Sequence, residues 1–140
     1  MSLLEIKNLR KTFCTPRGEI SARISIPYLK LEKGEALLLD GPSGSGKTTV
    51  LHMISGLLAA DCGSISFNGE DVSSMAVAQR DSWRADNVGY IFQRLNLLEE
   101  LNVLENILLP QCWRKQKNKL DLRKQALKLL QKVGLQEKAD

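Results

Sequence analysis

The run GPSGSGKT at positions 41–48 constrains the fold of this chain more than any other feature. It satisfies the pattern G-x-x-x-x-G-K-[ST], which is specific when it lies between a strand and a helix. An apolar run at 36–39 precedes it, and apolar residues at 50, 51, 54, 57 and 58 follow it. We therefore predict a strand at 36–40, buried on both faces of a parallel sheet, and a helix over 47–59.

The composition of this loop suits a triphosphate, because glycines let backbone N–H groups wrap around phosphate oxygens without a Cβ in the way. We predict that Lys47 reaches the β- and γ-phosphates and that the start of the helix faces the same anion. The Thr48 hydroxyl is the predicted protein ligand of Mg²⁺. The complete predicted binding set is Gly41, Pro42, Ser43, Gly44, Ser45, Gly46, Lys47, Thr48 and Thr49.

Patterning elsewhere predicts further strands and helices. Two strands of a half-exposed sheet are expected at 3–9 and 20–31 around a turn at 14–18, and another at 64–67 closed by Asn68-Gly69. The apolar run 88–92 predicts another buried strand. Helices are predicted at 75–84, from a capping box at Asn102 and Glu105 towards Trp113, and from 120 to a stop at Gly134, with a polar stretch at 114–119.

The overall composition bounds the class of protein. With 43% apolar and 26% charged residues, the chain is typical of one compact domain, and its net charge of +4 is spread over a mixed surface. Cys14, Cys62 and Cys112 lack metal-ligand spacing, which predicts free thiols in a reducing compartment. No apolar run reaches the ~18 residues of a membrane span, so we expect a cytoplasmic protein whose membrane role comes through a partner.

A phosphate-binding loop alone leaves GTPases, kinases, helicases and transporter ATPases open. The segments 41–51, ISGL at 54–57 and GSISFNGEDV at 63–72 resemble the first half of an ABC transporter nucleotide-binding domain. VGYIFQRLNLL at 88–98 and LENI at 104–107 resemble the Q-loop region of that family, nearest to its lipoprotein-release and macrolide-efflux type.

The resemblance implies a truncated α/β P-loop NTPase fold of the ABC ATPase type, with an N-terminal antiparallel β portion. An ATP-binding core would occupy 1–93, and the Q-loop continuation with the start of the helical subdomain would occupy 94–140. The resemblance gives Gln93 a catalytic and Mg²⁺-contacting role and makes Phe13 the candidate that stacks on adenine. It implies ATP and Mg²⁺ as ligands, an integral-membrane transporter subunit and a second copy as partners, no nucleic acid, and a place on the cytoplasmic face of the membrane.

Several family motifs are missing from the 140 residues: the Leu-Ser-Gly-Gly-Gln signature, a Walker B strand ending in Asp-Glu, and the switch histidine. Hydrolysis needs an acidic group on Mg²⁺ and a glutamate beside the attacking water. We therefore expect the chain alone to be deficient in hydrolysis. The rest of the family pattern would also supply parallel strands beside 36–39, so we expect uncovered apolar groups and a marginally stable chain. The alternatives are a non-catalytic nucleotide-binding or regulatory module, and a DNA-repair or chromosome-associated ATPase with a related head. The second alternative needs coiled-coil heptads or a basic reading surface, and neither is visible.

Overall fold

A computed structural model describes residues 2–94, 96–113 and 119–139. The chain divides into two compact units, Met1–Asp81 and Ser82–Asp140. In the described part, no helix is long and apolar enough to cross a membrane. Cys14 and Cys62 are exposed free thiols, as predicted. The Cys112 side chain and the polar stretch 114–118 lie outside the described part of the chain.

A long antiparallel hairpin opens the first unit. Strand β1 (Ser2–Cys14) pairs with β2 (Ile20–Glu32), so that Lys7 lies opposite Tyr28 and Lys11 lies opposite Ile24. The connecting turn is closed by the N–H of Gly18, which donates to the carbonyl of Thr15 over 2.9 Å. This hairpin confirms the predicted antiparallel portion and extends both strands beyond their predicted ends.

Two further strands complete a sheet of order β2-β1-β3-β4. Strand β3 (Cys62–Phe67) pairs with β1, and β4 (Glu70–Asp71) pairs with β3, both antiparallel. Between them Asn68 and Gly69 have φ of 50° and 84°. Positive φ at both central residues is the geometry that two-residue hairpin turns require, so the predicted Asn-Gly turn is confirmed.

The core of this unit lies between the sheet and helix α1 (Lys47–Ile54). The side chains that β1 buries are even-numbered before Asn8 and odd-numbered after it, because Asn8 has a φ of 50° and interrupts the alternation. At this point Gly63 of β3 packs against the backbone of β1. The buried core residues are Leu4, Ile6, Leu9, Val50, Met53 and Ile65.

Both predicted buried strands are wrong. Residues 36–40 form no regular element, and Leu38 is 86% exposed; residues 88–92 form no strand, and Ile91 is 96% exposed. A parallel strand exists only where a neighbouring strand accepts and donates its ladder hydrogen bonds. Within the described ranges the only sheet is antiparallel, and neither run pairs with it. The apolar composition of these runs therefore predicted burial, but no strand in the described ranges pairs with either run.

The predicted helix after the loop is also too long. Helix α1 ends at Ile54, and the N–H of Ser55 donates to the carbonyl of Leu51. Gly56 follows with a φ of 73°, the left-handed conformation that commonly ends a helix. The apolar residues at 57 and 58 thus belong to the connection to β3.

Helices dominate the second unit. Helix α2 (Val77–Asn87) leads into it, followed by α3 (Val103–Leu108), a 3₁₀ turn (Leu109–Trp113), α4 (Lys119–Lys132) and a second 3₁₀ turn (Gln136–Lys138). Compared with the prediction of 75–84, α2 begins two residues later and runs three residues further. The buried core of the second unit consists of Leu104, Ala126, Leu130 and Ala139.

The boundaries of α3 and α4 follow their sequence signals. The Asn102 side chain accepts from the N–H of Glu105 over 2.8 Å, and the Glu105 carboxylate accepts from the N–H of Asn102 over 3.0 Å, which confirms the capping box. The α-helix stops before Pro110, which has no N–H to continue it, and the chain proceeds to Trp113 as a 3₁₀ turn. Gly134, with a φ of 72°, follows the end of α4 as predicted.

Candidate functional site

The N-terminus of α1 presents uncommitted backbone donors to the loop at 41–46. Gly46 is the N-cap residue, and no side chain caps the helix. The first intrahelical bond runs from the N–H of Val50 to the carbonyl of Gly46 over 2.9 Å. The N–H groups of Lys47, Thr48 and Thr49 therefore have no acceptor within the helix. Together with the helix dipole, these donors favour an anion at this position.

The Lys47 side chain folds back over the loop. Its Nζ donates to the carbonyl oxygens of Gly41 and Pro42, over 2.7 and 2.8 Å. The N–H of Ser45 also donates to Pro42, over 3.3 Å, which closes the loop into a compact turn. A positive charge and the donors of the first helical turn are thereby brought to the same short segment.

Two glycines are required by this geometry. Gly46 has a φ of 93°, and a Cβ there would lie 2.7 Å from Cδ1 of Ile24 on strand β2. Gly41 has a φ of 149°, and a Cβ there would lie 3.1 Å from Oγ of Ser45. The sheet thus supports the loop from one side through Ile24. A side chain at Gly41 or Gly46 would be strained by the positive φ and would have to displace the side chain of Ser45 or Ile24.

The remaining polar groups of the loop are accessible. Ser43, Ser45 and Thr48 are exposed, and Thr49 is half-buried. Among the described residues, no group of three or more His, Cys, Asp or Glu side chains could hold a metal ion. Mg²⁺ in nucleotide sites needs few protein ligands, because phosphate oxygens and water supply most of its coordination. The exposed Thr48 hydroxyl in the first helical turn fits that requirement.

Phe13 lies near the end of β1, where it pairs with Ala22 and is half-buried. Alternation along the strands places Phe13 on the same face as Lys11 and as Ile24, which lies opposite Lys11. Phe13 is therefore a diagonal neighbour of Ile24, the residue that contacts the loop. Residues in this relation lie about 7–8 Å apart, within reach of an aromatic side chain. The sheet places the aromatic ring on the face that supports the loop.

Gln93 lies in the other unit and is exposed, directly after the irregular segment 88–92. The rings of Tyr90 and Phe92 in that segment are 4.5 Å apart. The structure thus brings all the predicted loop residues together with Phe13 in the first unit, whereas Gln93 belongs to the second.

Asp61 is a residue that the sequence patterns missed. Its Oδ2 accepts from the N–H of Thr12 and its Oδ1 from Nζ of Lys11, each over 2.7 Å. The Lys11 hydrogen bond, and then the Thr12 N–H, hold the pKa of this carboxyl below its usual range. No local motif marks Asp61, because its partners lie 49 and 50 residues away.

A comparison with known proteins gives one consistent family. The ABC transporter family model matches residues 26–140. The lipoprotein-releasing system ATP-binding protein LolD of Buchnera aphidicola is 38% identical over 136 residues, covering 97% of this chain and 58% of that protein. LolD of Francisella tularensis subsp. holarctica is 33% identical, covering 99% and 59%. The macrolide export ATP-binding/permease protein MacB of Chlorobaculum tepidum is also 33% identical, covering 99% and 21%.

Solved structures agree with these matches. A dimeric post-hydrolysis structure of the ATP-binding cassette MJ0796, bound to ADP and Pi, superposes with a TM-score of 0.74 at 29% identity. The match covers 91% of this chain and 56% of that one. The chain spans less than two thirds of the length of the LolD proteins and of the cassette. The resemblance stated from the sequence, including its lipoprotein-release and macrolide-efflux type, is confirmed.

Proposed function

The chain belongs to the ABC transporter family, and we propose that it binds ATP with Mg²⁺ on the loop at 41–49. The observation that carries this proposal is the N-terminus of α1, where no side chain caps the helix. Lys47 lies over the same loop, with its ammonium bonded to backbone carbonyls. Charge and backbone donors therefore converge where a triphosphate would lie.

The Lys47 contacts suggest how the loop receives its ligand. An ammonium donates charge-assisted hydrogen bonds to carbonyl and phosphate oxygens alike, but a phosphate also attracts it as an opposite charge. On binding, Lys47 would exchange the carbonyls of Gly41 and Pro42 for phosphate oxygens, and the N–H groups of 47–49 would donate to the same anion. Bound Mg²⁺ would neutralise phosphate charge, with the Thr48 hydroxyl as its protein ligand.

For the whole protein we propose an ATP-binding subunit that couples ATP hydrolysis to transport through an integral-membrane partner on the cytoplasmic face. The proposal draws on the names of the LolD and MacB relatives and on the dimeric state of the MJ0796 cassette. Two copies would act together, and Gln93 would contact Mg²⁺ and the attacking water and sense the membrane subunit. Residues 1–93 would form the ATP-binding core, and 94–140 the Q-loop continuation and start of the helical subdomain.

The binding proposal is tested by titrating the protein with Mg²⁺-ATP in a calorimeter. Loss of a hydrogen bond to a charged group costs about 1.5–3 kcal/mol, so Lys47→Ala should weaken binding roughly 10- to 150-fold. Lys33→Ala is the matched control, because Lys33 is an exposed lysine in a turn of the same unit. Equal affinities for the Lys47→Ala and Lys33→Ala proteins would contradict the proposal.

The role of Gln93 is tested separately by measuring phosphate release from ATP. Gln93→Ala should leave ATP affinity unchanged within about twofold, because the predicted triphosphate donors are Lys47 and the backbone of 41–49. In the full-length protein the same variant should release phosphate more slowly. An unchanged rate of release would remove Gln93 from the proposed mechanism. A loss of ATP affinity as large as that of Lys47→Ala would make Gln93 a main binding residue for the nucleotide.

A further inference from the structure

The last residues of β1 lose their neighbour on one side before Phe13 is reached. The pairing of β1 with β3 ends at Arg10 and Cys62. Beyond that pair, the regular ladder continues only on the β2 side, from Lys11 opposite Ile24 to Phe13 opposite Ala22. A strand end paired on one side is less constrained than one paired on both sides.

Asp61, the residue directly before β3, replaces the missing neighbour. Its N–H donates to the carbonyl of Arg10 over 2.9 Å. Its carboxylate accepts from the N–H of Thr12 and from Nζ of Lys11. The contacts of one residue thus fix three consecutive residues of β1, up to the position before Phe13.

We propose that Asp61 is a positioning residue for the nucleotide base: it fixes the end of β1 so that Phe13 is presented to adenine. The inference rests on the proposed function, because it requires a triphosphate on the loop beside Ile24. Fixing the strand in advance avoids the loss of conformational freedom that an unrestrained Phe13 would suffer on binding. The carboxylate is ionised at neutral pH, since its hydrogen bonds with Lys11 and Thr12 lower its pKa.

Two features of the site make this proposal testable. The Asp61 side chain is 44% exposed, so its replacement opens no cavity in the core. The hydrogen bonds that Asp61 accepts from the Thr12 N–H and from Lys11 Nζ can also be removed separately. Asn retains an oxygen acceptor for the Thr12 N–H, whereas Ala removes it; Lys11→Met removes the ammonium and leaves the Thr12 bond in place.

The experiment compares the affinities of the protein for ATP and for inorganic tripolyphosphate, both with Mg²⁺. Their ratio isolates the contribution of the base and sugar from that of the phosphates. Stacking of a base on an aromatic side chain corresponds to about 5- to 150-fold in affinity, so wild-type protein should prefer ATP by a factor in this range and Phe13→Ala should lose most of it. Asp61→Ala should reduce the ratio towards that of Phe13→Ala with tripolyphosphate affinity retained within about threefold.

The control variants separate positioning from a general loss of structure. Asp61→Asn and Lys11→Met should keep a ratio within about threefold of wild type, because both retain an acceptor for Thr12. A wild-type ratio for Asp61→Ala would overturn the inference. A ratio of one in the wild-type protein would overturn it as well, together with the role of Phe13, but would leave the phosphate loop in place. Failure to bind tripolyphosphate at all would instead refute the proposed function.

Discussion

Replacing Gly63 by alanine should destabilise the first unit more than the same substitution at Gly18, a turn glycine with open space around it. Gly63 has a φ of 89°, and its Cβ would lie 2.4 Å from the carbonyl oxygen of Asn8 and 2.6 Å from Cα of Leu9. These are backbone atoms beside a fully buried leucine, so no flexible side chain can move aside. The left-handed conformation costs roughly 1–2 kcal/mol, and forcing extra volume into a packed site costs about 1–3 kcal/mol.

The Gly63→Ala protein should therefore lose about 2–5 kcal/mol of unfolding free energy. Gly18→Ala is the matched control, because Gly18 has a φ of 83° with nothing within 4 Å of the added Cβ. It should lose only the conformational part, about 1–2 kcal/mol. Urea unfolding of both proteins measures the difference, which reports the close approach of β3 to β1. Equal urea midpoints would refute this reasoning.

Three further predictions concern single side chains. Asn106→Ala should speed amide exchange at residues 98–102 about tenfold, because its side chain bonds the carbonyl and N–H of Leu98; unchanged exchange would contradict this. A hydrogen bond from the Ser73 side chain is the main cause that lowers the pKa of Asp71. The ionised carboxylate therefore stabilises the fold above pH ~4, and this stability is lost as pH falls through the lowered pKa. Asp71→Asn should flatten the loss of stability below pH ~4 in urea titrations, and an unaltered slope would count against it. Leu38→Ser should change the unfolding free energy by under about 0.5 kcal/mol, because Leu38 is exposed; a larger loss would mean that it is buried.

Local signals in the sequence predicted the parts of the fold that are stabilised locally. The Asn68-Gly69 turn, the Asn102 capping box and the Gly134 stop each depend on residues within a few positions of one another. The fold class and family predicted from the resemblance are confirmed by the family model and by the ATP-binding cassette structure.

The runs at 36–40 and 88–92 could not be predicted in the same way. Their apolar residues are those of buried strands, but a strand needs a partner, and neither run has one in the described ranges. Hydrophobic composition indicates that a segment favours burial, whereas backbone hydrogen bonds with a neighbouring strand decide whether the segment forms a strand. The length of the helix after the loop failed for a different reason, because Gly56 ends it before the apolar pattern does.

For the candidate site, sequence spacing predicted the loop residues, since they are contiguous and their chemistry follows from their order. It could not find Asp61, because a contact between β1 and the start of β3 depends on how the strands pair. Binding by the loop residues and the roles of Phe13 and Gln93 remain predictions, which the affinity and phosphate-release measurements above address.

The most direct test of the nucleotide site is to follow backbone amides by NMR while Mg²⁺-ATP is added to the ¹⁵N-labelled protein. If the triphosphate lies at the N-terminus of α1, the largest shifts should fall on the amides of Gly46, Lys47, Thr48 and Thr49, which face the loop. The amide of Lys33, in an exposed turn of the same unit, should not move. Saturable shifts confined to other residues, with the amides of 46–49 unchanged, would contradict the account.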